Sequence, residues 1–78
     1  MELQTFIQHM AEQFEETDSS EITASTKFKD LDEYSSLLAL TIIAMIDEEY
    51  DVTIKGEDLR QSQTIEDLFN VVKEKKAK

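Results

Sequence analysis

Few side chains in this chain of 78 residues could take part in covalent or acid–base chemistry. The absence of cysteine excludes a disulfide framework, a thiolate metal site and a cysteine nucleophile. The single histidine, His9, excludes a multi-histidine metal site, and we expect it on the surface of a helix. No spacing of Ser, His and Asp supports a catalytic triad. The remaining candidates are a pair of serines and a run of acids.

The serine pair, Ser35 and Ser36, stands directly before an aliphatic segment. Ser35 suits the N-cap of a helix, because its hydroxyl can accept a hydrogen bond from a free amide of the first turn. Ser36 would then be the first helical residue, with a hydroxyl outside the packed core. Taken alone, two serines before a helix indicate only a helix cap.

The acidic run between Asp47 and Asp58 has oxygen-bearing side chains at several alternate positions, as in a calcium-binding loop. However, Val52 stands where such a loop requires glycine, and Ile54 supplies no side-chain oxygen. We therefore predict no metal site, and weak, diffuse binding of divalent cations to these acids stays open.

Apolar periodicity predicts that these candidates are carried by helices. Absence of proline and the presence of one glycine argue against hairpins. The first helix is predicted over residues 2–16 from one apolar stripe that comprises Leu3, Phe6, Ile7, Met10 and Phe14. A long polar loop over 17–34 follows, and we expect its apolar members, Ile22, Phe28 and Leu31, to pin it to the core.

Three further helices are predicted over residues 36–50, 57–61 and 65–76. Thr64 and Asp67 have the spacing of a capping box for the last of them. The sequence therefore predicts an all-α fold, a small antiparallel four-helix bundle with three main helices and one short helix, formed by a single domain over residues 1–78.

The net charge of −10, from 18 acidic and 8 basic residues, limits the range of partners. A negative surface repels nucleic acids and anionic membranes and attracts proteins with basic patches. No apolar run reaches the ~20 residues needed to span a bilayer, and the first ten residues do not resemble a signal peptide. We expect a cytoplasmic, monomeric protein that binds no nucleic acid and does not insert into membranes.

The second helix carries more aliphatic residues than one buried stripe needs. If Ile42 or Ile43 packs into the core with Ile46 and Tyr50, several leucines must lie on other faces, which usually marks a contact surface. Alternatively, the helix is buried on nearly all sides or forms a dimer seam. The predicted docking surface for partner proteins, rimmed by acids, comprises Leu37, Leu38, Leu40, Thr41, Met45, Asp47 and Glu48.

The segment from Phe28 to Ile54 resembles acyl carrier proteins. The shared features are a Phe-x-x-Leu approach, a serine followed by leucine, an aliphatic helix, and an acidic cluster that ends in an aromatic residue. The stretch Thr64 to Leu68 is similar to the start of the last helix in that family. Length, helix order and acidity agree over nearly the whole chain.

This resemblance implies that Ser36 receives 4′-phosphopantetheine from coenzyme A, through a phosphopantetheinyl transferase. It implies a carrier, not an enzyme, that holds an acyl or aminoacyl group as a thioester and delivers it to synthase or transferase enzymes. In the family, short acyl chains lie between the helices. Candidates to line such a space are Phe28, Leu40, Ile43, Ile46, Leu59, Ile65 and Phe69.

Several positions depart from the family pattern. Ser35 replaces the usual Asp, Leu38 and Thr41 replace acids, and the customary glycine before the motif is missing. These changes, together with Tyr34, favour a dedicated biosynthetic pathway over fatty-acid synthesis, although fatty-acid and polyketide pathways both stay open. Two other hypotheses are an acidic interaction module without cofactor and, on the acidic cluster alone, a small metal-binding or hydrolytic enzyme.

Overall fold

The computed structural model describes residues 2–77, so Met1 and Lys78, the two ends of the predicted domain, lie outside the described residues. Four α-helices follow one another along the chain, and no β-strand occurs within residues 2–77. The helices are α1 (Leu3–Gln13), α2 (Ser36–Tyr50), α3 (Gly56–Gln61) and α4 (Ile65–Ala77). The predicted all-α bundle of three main helices and one short helix is confirmed.

Helix α1 ends at Gln13, three residues earlier than the predicted boundary at residue 16. The Glu33 carboxylate accepts hydrogen bonds from the backbone amides of Glu16 and Thr17, both at 3.1 Å. Those amides are therefore unavailable to α1, and the chain leaves the helical path at Phe14. Phe14 is nevertheless buried in the core, which is why the apolar periodicity ran past the end of the helix.

The long loop after α1 is attached to the core, as predicted. It contains two short 3-10 helices, Ser19–Glu21 and Phe28–Asp30. Ile22 and Phe28 are buried, and the partly buried Leu31 packs against the core. The loop also binds α4, because its carbonyl groups accept hydrogen bonds from the first amides of that helix, at 2.9–3.1 Å. These bonds satisfy donors that have no partner within a helix.

The core is apolar and receives side chains from all four helices. Phe6 of α1 is fully buried, and its ring centroid lies 5.7 Å from that of Tyr50 and 5.5 Å from that of Phe69. Helix α1 packs on α2 and α4, and the short α3 bridges α2 and α4. Val52 and Ile54, which alternate with polar residues between α2 and α3, are buried without forming a strand.

The predicted capping box at the start of α4 is present. Thr64 Oγ1 accepts a hydrogen bond from the Asp67 amide at 3.1 Å, and Asp67 Oδ2 accepts from the amides of Thr64 and Gln63 at the same distance. These bonds to the ionised carboxylate lower the pKa of Asp67, with the Thr64 amide as the largest cause. The capping box fixes the residue at which α4 begins. Helix α3 packs against α4.

At the end of α2, Asp51 adopts a left-handed backbone conformation, with φ 56° and ψ 40°. Asp tolerates this region better than most residues other than glycine. The turn directs the chain back towards α2, so that α3 packs alongside it. Within the described part of the chain, no helix is long and apolar enough to cross a membrane.

Candidate functional site

The two serines before α2 have different roles in the structure. Ser35 has an extended backbone, and its hydroxyl oxygen accepts a hydrogen bond from the Leu38 amide at 3.3 Å, so it is the N-cap of α2, as predicted. Ser36 is the first residue of α2, and it is exposed. Among the described residues, no side chain or backbone group hydrogen-bonds to the Ser36 hydroxyl. The hydroxyl of Ser36 is therefore free to react with an incoming group.

The chain that leads into α2 is held by contacts on both sides. Glu33 binds the segment after α1 through the two amides described above and through the Thr17 hydroxyl at 3.0 Å. The Tyr34 ring lies edge-on to Phe28, with centroids 5.8 Å apart, and its partial burial raises the pKa of its hydroxyl. Because these contacts hold Glu33 and Tyr34, the backbone that leads to Ser36 is held in place.

The electrostatics at the start of α2 favour an anion. Ser36 stands at the positive end of the helix dipole, where the first amides of α2 have no partner within the helix. No acidic side chain occurs in that first turn to offset the positive potential. A phosphate ester on the Ser36 hydroxyl would lie in a favourable field, although the protein as a whole is strongly negative.

A groove of about 460 Å³ opens beside Ser36, between α2 and α3. Its lining comprises Tyr34, Ser36, Ala39, Leu40, Ile43, Gly56, Leu59 and Arg60. Three of the residues expected to line a space for an acyl chain, Leu40, Ile43 and Leu59, are therefore beside Ser36. The other four, Phe28, Ile46, Ile65 and Phe69, are buried in the core and do not line the groove.

Most of the predicted docking surface is exposed along α2. Leu37 and Leu40 are 74% and 64% exposed, and because they are three residues apart they lie on the same side of the helix and form an apolar patch. Thr41, Asp47 and Glu48 are also exposed, whereas Leu38 is half-buried against the core. Leu37 and Leu38 also line a second cleft, of about 290 Å³, on the side of α2 that faces the end of α1.

The inclusion of Met45 in the docking surface is wrong, because its side chain is only 6% exposed. Met45 lies one turn after Ile42 and one residue before Ile46, and all three belong to the buried stripe of α2 that ends at Tyr50. A docking partner could not reach it without opening the core.

Two positions have features that could not be read from the sequence. Arg60 lies on the wall of the groove, and no sequence pattern assigns it to the site, although it is the only basic residue between Lys55 and Lys73. His9 lies at the surface of α1 with its side chain 24% exposed, and its Nδ1 is 2.8 Å from the Tyr50 hydroxyl, so the ring is packed against the end of α2. No group of three or more His, Asp or Glu side chains within residues 2–77 is arranged to hold a metal ion.

Comparison with known protein families identifies the family of the chain. Residues 4–72 match the model of the phosphopantetheine attachment site family, and the chain belongs to that family. No solved structure matched the chain. Members of the family bind 4′-phosphopantetheine covalently, and this chain is a carrier protein resembling acyl carrier proteins. An exposed serine at the positive end of a helix, beside an apolar groove, suits such a group.

Proposed function

We propose that Ser36 is the attachment site of 4′-phosphopantetheine, on which the protein carries an acyl or aminoacyl group as a thioester. The observation that carries the proposal is the difference between the two serines. The Ser35 hydroxyl is engaged in capping α2, whereas the Ser36 hydroxyl is exposed and free of hydrogen bonds to the described residues.

The attachment would need a partner enzyme for acid–base chemistry. The bond between Ser36 Oγ and phosphorus forms while the bond between that phosphorus and the nucleotide part of coenzyme A breaks, and the nucleotide bisphosphate leaves. The Ser36 proton would pass to a base of the transferase, since no described base of this chain contacts the hydroxyl. The carrier contributes position, exposure and a favourable potential, and it is not itself an enzyme.

Partner enzymes would dock on α2. Leu37, Leu38 and Leu40 supply apolar contacts, and the exposed Thr41, Asp47 and Glu48 form a polar and acidic continuation of the same helix. Acids steer encounter with a basic partner, and the leucines provide modest affinity. This division suits a carrier that must bind and release several enzymes: a phosphopantetheinyl transferase, an enzyme that loads the acyl group and one that uses it.

The composition of the docking surface supports a dedicated biosynthetic pathway over housekeeping fatty-acid synthesis. In acyl carrier proteins of fatty-acid synthesis, which this chain resembles, acidic residues stand at the positions of Leu38 and Thr41. Because both positions lack a negative charge here, they favour partners whose docking surface is less basic. We place this function in the cytoplasm, where coenzyme A and such enzymes are present.

The test is modification of the purified chain with coenzyme A and a phosphopantetheinyl transferase, followed by intact-mass measurement. The wild type and Ser35→Ala should each gain one phosphopantetheine, whereas Ser36→Ala should gain none and keep its helicity. Ser35→Ala is the matched control because it removes a hydroxyl from the neighbouring position. An unchanged mass with several transferases of different specificity would favour the alternative, an interaction module without cofactor.

A further inference from the structure

The groove beside Ser36 has an apolar floor and one cationic wall. From α2 it receives Ser36, Ala39, Leu40 and Ile43, which lie at i, i+3, i+4 and i+7 and so share one face of the helix. This stripe extends about 10 Å along the helix from Ser36. Leu59 and Arg60 of α3 form the opposite wall. Among residues 2–77, Arg60 is the only charged residue that lines the groove.

The Arg60 guanidinium has no acidic partner within the described residues, because none of their carboxylates lies within 4.0 Å of it. This isolation is unexpected in a chain whose first 70 residues carry 17 acids and 4 bases, a net charge of 4 − 17 = −13. The guanidinium folds back over Gly56, since a Cβ placed on that residue would lie 3.5 Å from Arg60 Nη1. That distance is an ordinary van der Waals contact, so the guanidinium lies against the start of α3.

The backbone of Arg60 is held close to the segment that leads to Ser36. Lys29 Nζ donates a hydrogen bond to the Arg60 carbonyl oxygen at 2.7 Å. Lys29 belongs to the same 3-10 helix as Phe28, whose ring contacts Tyr34, two residues before Ser36. Lys27, Lys29 and Arg60 also line an adjoining cleft of about 220 Å³, together with Asp30 and Gln63. Three of the four bases in the first 70 residues therefore meet at one corner.

We propose that Arg60 binds an oxyanion of the group tethered to Ser36 and thereby holds the arm along the groove. The planar guanidinium matches the oxygens of phosphate and carboxylate groups, and it is the cation best suited to this chemistry. Two sources can supply the oxyanion: the phosphodiester at Ser36, which every loaded chain would have, and a carboxylate on the carried acyl group. The inference rests on the proposed function.

The test compares Arg60→Gln with Lys55→Gln, which makes the same change of charge beside α3 but does not line the groove. Intact mass first establishes that each variant is fully loaded. Melting temperatures are then measured for the unloaded, phosphopantetheine-loaded, butyryl-loaded and succinyl-loaded forms, and the phosphorus resonance of each loaded form is recorded by NMR.

If the phosphodiester is bound, Arg60→Gln should lower the gain in melting temperature on loading by about 4 °C and shift the phosphorus resonance, and Lys55→Gln should do neither. If a carboxylate is bound, only the succinyl-loaded form should lose stability. Equal behaviour of Arg60→Gln and wild type in all loaded forms, or an equal response of Lys55→Gln, would overturn the inference. If the chain takes up no phosphopantetheine, the proposed function is contradicted instead, and the intact-mass measurement shows this before any melting temperature is recorded.

Discussion

His9 Nδ1 lies 2.8 Å from the hydroxyl oxygen of Tyr50, a contact that joins α1 to the last residue of α2. The two rings meet edge to face, with centroids 5.5 Å apart. His9 Nε2 is 3.8 Å from Glu49 Oε1, and Lys76 of α4 donates a hydrogen bond to the Tyr50 carbonyl at 2.8 Å. Three helices therefore meet at the end of α2 opposite to Ser36.

Removal of the Tyr50 hydroxyl should weaken this junction. We expect Tyr50→Phe to lower the free energy of unfolding by about 1 kcal/mol, because the ring still packs on Phe6 while the hydrogen bond to His9 is lost. Urea unfolding of Tyr50→Phe, His9→Ala and the double variant measures the coupling. Additive effects of the two substitutions would show that the contact contributes nothing.

The same hydroxyl should make the fold sensitive to alkaline pH. Burial, and then the Glu49 charge, raise the pKa of Tyr50 above 10.0 in the folded state. The neutral phenol is therefore favoured by folding, and its contribution is complete below the unfolded-state pKa and is lost as pH rises through the folded-state pKa. Unfolding measured from pH 9 to pH 12 should show a shallower decline for Tyr50→Phe than for wild type. Parallel profiles would contradict this.

The capping box of α4 should contribute measurably to stability. Thr64→Ala removes the acceptor of the Asp67 amide, and we expect a loss of about 1 kcal/mol in the free energy of unfolding. Thr64→Ser keeps the hydroxyl and serves as the matched control. Since the pKa of Asp67 is lowered in the folded state, its own contribution should disappear as pH falls below 3.8 through that lowered value. Equal stability of the two Thr64 variants would argue against a role for the cap.

Substitutions at two apolar residues of α2 should distinguish an effect on partner docking from an effect on stability. Leu40→Ser should reduce kcat/KM of the transferase several-fold and leave the melting temperature nearly unchanged, because the side chain is 64% exposed. Met45→Ala should lower stability by about 2 kcal/mol or more, because it leaves a cavity in the core. Activity and thermal unfolding of both variants check the prediction. Loss of stability without loss of transfer in Leu40→Ser would place Leu40 outside the docking surface.

The position of α2 and its cap could be predicted from the sequence, because a local signal determines both. Ser35 precedes an unbroken aliphatic run, and the helix bounds agree with the prediction at both ends. The end of α1 could not be predicted in this way. It depends on Glu33, 17 residues beyond Glu16, whose carboxylate binds the amides that would have continued the helix.

The candidate site likewise has some features that could be predicted from the sequence and some that could not. The exposure of Ser36 follows from its place at the first turn of α2 and was expected from the sequence. Met45 was assigned to the wrong face because Ile42, Ile43 and Met45 are of similar hydrophobicity, and only packing decides which two of them face the core. Arg60 joins the site through the fold alone, since α3 brings it to Ser36 across 24 residues of chain.

The measurement that tests the central claim most directly is fragmentation of the modified wild-type chain in a mass spectrometer. Cleavage of the peptide bond between Ser35 and Ser36 separates the two hydroxyls without any substitution. The account predicts that the added mass stays entirely with the fragment that begins at Ser36. Added mass on the fragment that ends at Ser35, or on any other residue, would contradict it.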